Sequence, residues 1–169
     1  MDSLIDFIQL FTLGNEAATQ RIETRLALAL RDPAAYQAQY AEELAERGMD
    51  GSELPAQELR DVALIDALWS EELAWEADWQ DHVSETSGGI QGIMDQQNRP
   101  FRPTGLTIAK ATGGPEMLDN IQDALEPLGF ALVLLPLDSD AYPLSVVAEA
   151  QAEDARKLAQ ELGFGVTVY

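Results

Sequence analysis

Along the first part of the chain, apolar residues recur every three or four positions; further on they gather into shorter, denser runs. Leu4, Ile5, Phe7, Ile8 and Phe11 form a first helical stripe. Ile22, Leu26, Ala29 and Leu30 form a second at i, i+4, i+7 and i+8, with Asn15 placed to cap it. Asp32 and Pro33 close that helix and open the next, with aspartate as cap and proline in the first turn. Tyr36, Tyr40, Leu44 and Met49 then carry a stripe up to Gly48, a natural stop. A further helix is predicted over residues 55–69 from Leu59, Val62, Leu64, Ile65 and Leu68.

The period changes at residues 73–80. Leu73, Trp75 and Trp79 alternate with Ala74, Glu76, Asp78 and Gln80, which predicts a half-buried strand with one acidic face. Residues 84–105 are rich in Ser, Gly, Gln, Asn and Pro and read as a long loop with a short helical turn around Ile90 to Met94. A short strand is expected at residues 106–109. A helix follows, opened by Gly113-Gly114-Pro115, with Met117, Leu118, Ile121, Leu125 and Leu128 inward.

Residues 130–137 are a continuous apolar run, the mark of a central strand covered on both faces, and residues 144–148 are its hairpin partner. A helix over residues 153–162, stopped by Gly163, leads to a last strand at residues 164–168. The pattern predicts one α+β domain over residues 1–169. Its helical part covers about residues 1–70, followed by a small, mostly antiparallel sheet with helices packed on it.

Composition narrows the function classes. Thirty acidic side chains against ten basic ones give a formal charge of −20, and 46% hydrophobic residues suffice for a core. Such a field repels phosphates and anionic lipid and speeds encounter with basic partners, so direct nucleic-acid binding and membrane association are not expected. There is no long apolar run, the first six residues lack a basic signal, and no cysteine is present, so a cytoplasmic protein without disulfides is expected. The acid is unevenly spread. No Lys or Arg occurs between Asp61 and Asn98, and Lys110 is the one base between Pro103 and Ala155.

Asp138 and Asp140 stand one residue apart between two apolar runs. Read as a calcium loop, they fail at the fifth and sixth positions, which are Tyr142 and Pro143. Read as a metal-holding pair of a hydrolase or transferase, they lack a nucleotide-binding series around them. A hairpin loop in which these side chains bond local backbone accounts for them, with an acidic contact surface as the functional alternative. His82, the single histidine, lies among Asp78, Asp81 and Glu85, and reads as a solvent-exposed side chain rather than a catalytic base. Gly113-Gly114-Pro115 lacks the basic residues of a phosphate cradle. The tryptophans Trp75 and Trp79 read as core.

Three stretches carry a family resemblance: residues 32–50, DPAAYQAQYAEELAERGMD; residues 64–81, LIDALWSEELAWEADWQD; and residues 137–147, LDSDAYPLSVV. Together they resemble the bacterial domain-of-unknown-function family 6630. The resemblance implies a small acidic intracellular protein and no activity, cofactor or catalytic residue; an immunity role follows by analogy with small acidic proteins encoded near toxins.

The expectation is therefore a non-enzymatic domain without cofactor or metal that binds a basic toxin or effector. Glu72, Glu76, Asp78, Asp81, Asp138, Asp140 and Tyr142 are the contact candidates. The rivals are a metal-dependent hydrolase or transferase using Asp138 and Asp140, and an adaptor subunit for an endogenous protein.

Overall fold

The computed structural model describes residues 3–49, 54–78, 83–97, 115–135 and 141–169. The first stripe folds as α1, Ser3–Thr12, which buries Leu4, Phe7, Ile8 and Phe11. Asn15 caps α2, Glu16–Arg31, by accepting the Ala18 amide at 3.1 Å. Asp32 ends α2 and caps α3, Pro33–Gln39, where its carboxylate accepts the Ala35 amide.

The stripe expected to continue through Tyr40 is broken there, so a short α4, Ala41–Glu46, follows as a separate helix. The break has a visible gain: Tyr40 leaves the helical conformation and stacks on Tyr36 with ring centroids 4.5 Å apart. Gly48 takes a left-handed φ of 77°, and the Met49 amide bonds back to Leu44, which closes α4 as the glycine position predicts. Helix α5, Ala56–Ser70, is buried along most of its length, from Leu59 to Leu68.

The sheet is four-stranded and antiparallel, in the order β1, Trp75–Asp78; β3, Ala141–Ala148; β2, Phe130–Leu134; and β4, Thr167–Val168. Three helices complete the chain: α6, Val83–Gln96; α7, Pro115–Leu125; and α8, Ala152–Leu162. The register sets Trp75 opposite Leu144, Leu132 opposite Val146 and Val133 opposite Ser145, which fixes what each face meets.

On one face, Ala77, Leu132, Leu144 and Val146 pack with Ile90, Ile93 and Met94 of α6 and with Leu118, Ile121 and Leu125 of α7. On the other, Ala131, Val133 and Val147 join the cluster built from α1, α2, α5 and α8, where Phe7 stacks on Phe164 at 5.6 Å. Helices thus cover the sheet on both sides. Burying each Leu, Ile or Phe side chain of these clusters is worth about 2 kcal/mol, so both faces are firmly held.

Two further expectations change. The loop predicted over residues 84–105 is in large part α6, because Ile90, Ile93 and Met94 at i, i+3 and i+4 find an apolar sheet face that outweighs the weak helix preference of Gly88, Gly89 and Gly92. Nor does Glu76, part of the acidic outer face expected for β1, stand open to solvent. Glu76 points to the helical side of the sheet, with its side chain 26% exposed, and the alternation starts only at Trp75, since Leu73 packs with the helical cluster. The short strand expected at residues 106–109 lies outside the described residues.

Several polar groups inside this frame are satisfied across elements. Buried Ser145 donates to the Leu73 carbonyl at 2.6 Å, Gln97 after α6 donates to the Val146 carbonyl at 2.8 Å, and Gln122 of α7 accepts the Leu132 amide at 2.7 Å. Asp61, buried on α5, accepts from Gln57 and from the Gly165 amide, tying α5 to the chain before β4.

The largest polar cluster joins four helices to β1. Arg25 of α2 donates to the Tyr36 hydroxyl at 3.1 Å, lies 4.1 Å from the Tyr40 ring centroid, and pairs with Glu43 of α4. Asp66 of α5 stands 3.8 Å from Arg25 and accepts from Arg47 at 2.7 Å, and Arg47 reaches on to Glu76 at 2.6 Å. Removing one partner of such a buried set leaves the others uncompensated. Asp66→Ala is therefore expected to cost about 3 kcal/mol, read as a lower urea midpoint. Arg21→Ala, which removes a guanidinium standing in solvent, is expected to shift the midpoint much less.

Candidate functional site

The acidic candidates divide once they are placed in the fold. Glu71, at the end of α5, holds Arg21 of α2 in a two-pronged pair at 2.8 and 2.6 Å. Glu76 is taken up by Arg47. Glu72 is exposed and adopts a left-handed φ of 60°, closing α5 in the position where glycine is usual; the Leu73 amide bonds to Leu68 across it. Asp78 ends β1 opposite Ala141, and Tyr142 sits half-buried on β3 opposite Ala77. Asp81, His82, Asp138 and Asp140 lie outside the described residues.

Other exposed acids form a clearer row. Asp119, Asp123 and Glu126 recur at i, i+4 and i+7 along α7 and the turn after it, a segment without Lys or Arg. Glu153 and Asp154 occupy the first turn of α8. Tyr169 lies near this row. Burial, then Asp119 and then Tyr142 raise its phenol above the ordinary value.

Electrostatics inside the molecule follow from burial. Desolvation pushes the Tyr36 phenol up to about 12, with the Arg25 guanidinium offsetting part of that rise. Burial also raises the Asp66 carboxyl, against the opposing pull of Arg47 and Arg25. These groups are built into the packing of α2, α3 and α5 and serve it. Among the described residues, no group of three or more His, Cys, Asp or Glu side chains is placed to hold a metal ion.

The concave feature is elsewhere. A cleft of about 640 Å³ opens between the end of α5, the start of β1 and α6, lined by Trp69, Glu72, Ala74, Trp75, Ile93 and the glycines of α6. Gly89 lies flat against the Trp75 indole, where a Cβ would fall within the ring, whereas Gly88 and Gly92 face open space. Trp69 is 46% exposed at this cleft, the most exposed large apolar side chain among the described residues.

Sequence reading missed the cleft because it took the glycines as loop residues. Their spacing at i, i+1 and i+4, beside Ile90, Ile93 and Met94, was the available signal.

The architecture is that of an α+β domain whose small antiparallel sheet lies between two helical layers. A family model for a domain of unknown function, DUF6630, matches residues 3–169, and the chain belongs to that family, in agreement with the resemblance of its three motif stretches. No curated protein and no solved structure matches the chain. Among the described residues, no helix is long and apolar enough to cross a membrane.

Two outcomes check this geometry. In an absorbance titration of the phenols, the Tyr36 step is expected near pH 12 and to vanish in Tyr36→Phe. Because folding raises this pKa above the ordinary phenol value of about 10, the stability linked to neutral Tyr36 is fully present below pH 10 and is lost as pH rises through the folded value.

The second outcome concerns the cleft. Gly92→Ala, meeting nothing, is expected to raise stability by about 1 kcal/mol through helix propensity. Gly89→Ala, forced against Trp75, is expected to lower it by about 2 kcal/mol in the same urea unfolding experiment.

Proposed function

We propose that this protein is a non-enzymatic binding domain that captures a basic protein, a toxin or effector whose cationic surface it covers. The observation that carries the reading is the way the charge is spent. Arg21, Arg25, Arg47 and Arg156 are engaged with acids of the chain itself, while Asp119, Asp123 and Glu126 face solvent from a segment with no base of its own.

Twenty formal negative charges in excess therefore act outward, and their field steers and holds a cationic surface more strongly at low ionic strength. The same field disfavours phosphate-bearing ligands. An immunity role, in which the protein occludes the working face of a toxin, fits this charge and is the form of the reading that names a biological use. A cytoplasmic setting fits it too.

The test is capture from lysate of the native cell at about 0.05 M and about 0.5 M salt, on either side of the ionic strength at which exposed charges are screened. One stoichiometric basic protein is expected at low salt and is expected to be lost at high salt. The doubly reversed variant Asp119→Lys, Asp123→Lys, with unchanged circular dichroism, is expected to recover much less of it. Capture indifferent to both salt and charge reversal would exclude the electrostatic reading.

A further inference from the structure

We propose that the cleft between α5 and α6 takes an arginine side chain of the basic partner, stacked at Trp69 and Trp75 with its guanidinium turned to Glu72. This inference rests on the basic-partner reading and assigns the anchor that the acidic surface alone lacks. Acidic surfaces speed encounter and set partner preference, but binding energy concentrates where an aromatic or arginine anchor fills a pocket.

Three observations converge. The cleft, at about 640 Å³, is of the size that holds a small ligand or an anchoring side chain, and Trp69 stands at it with nearly half its surface in solvent. Every described residue that lines it comes from the stretch between Asp61 and Asn98, which has no Lys or Arg, and among these the charged one is Glu72. Among the described residues an anionic ligand would meet Glu72 and no cation there, whereas a cation finds a carboxylate and two indoles.

The third observation is the glycine wall. A Cβ at Gly88 or Gly92 would meet no described residue within 4 Å, and without one they let a flat group lie along the helix backbone. The planar, weakly hydrated guanidinium suits such a slot better than a tetrahedral ammonium, since it stacks on an aromatic face while its edge donates to a carboxylate.

Glu72 offers a clean variant. It holds a left-handed conformation that glycine adopts without strain, so Glu72→Gly removes the carboxylate and keeps the turn. Gly92→Leu adds bulk to the cleft lining from a position where a Cβ meets no described residue within 4 Å.

The experiment is a nitrogen-15 NMR titration of the full chain with a heptapeptide of alternating glycine and arginine, compared with the same peptide carrying uncharged citrulline. Saturable shifts of the Trp69 and Trp75 indole N–H signals are expected, with affinity about tenfold lower for the citrulline peptide and for each of the two variants, whose remaining amide spectra stay in place. Equal affinity for the citrulline peptide would overturn the inference, because the cleft would then select for shape without charge. Arginine-peptide binding that leaves both indoles unmoved would overturn the anchor while leaving the acidic-surface reading standing. Absence of any binding at low salt would count against both.

Discussion

Asp66 is the point on which the helical half depends. It sits on α5 between Arg25 of α2 and Arg47 just after α4, and Arg47 extends the cluster to Glu76 on β1. A carboxylate withdrawn from water is costly unless cations meet it, and here two do; each cation is in turn shared with a second acid. Apolar packing alone permits these helices to slide along one another. The paired charges fix which turn of α2 faces which turn of α5, and they clamp the first strand to the helices beside it.

This arrangement also determines the face that the molecule turns outward. With only ten basic residues against thirty acidic ones, each arginine drawn into the interior removes a counter-charge from the surface. The internal network and the external field are thus two sides of one allocation. Among the described residues, the acidic row on α7 and the carboxylate of Glu72 face no such counter-charge.

Much of this fold was legible in the residues. Asn15 and Asp32 cap helices as their side chains predict, Gly48 and Gly163 close helices, and the apolar run after Gly129 forms a strand covered on both faces. What escaped reading depended on tertiary partners. Glu76 looked like an outward acid because alternation along a strand says which residues share a face and not what stands opposite it. Helix α6 escaped because three glycines argue against a helix locally, and only the tertiary contact of Trp75 explains why one of them, Gly89, is there. The contact candidates Glu72 and Glu76 proved to have opposite circumstances, one exposed at a cleft and the other neutralised.

The register of β1 against β3 has a bearing on how the chain assembles. Helices α2 to α5 pack largely on one another, whereas α1 also rests on α8 near the far end of the chain and β1 must find β3 across the whole of α6, α7 and β2. Closing so long a loop is entropically slow, and until it closes Glu76 has no sheet to hold it beside Arg47. Helices α2 to α5 therefore constitute a unit whose packing does not wait for that closure. When the first strand docks, the pairing of its backbone amides with β3 and the burial of the Arg47–Glu76 ion pair are gained together.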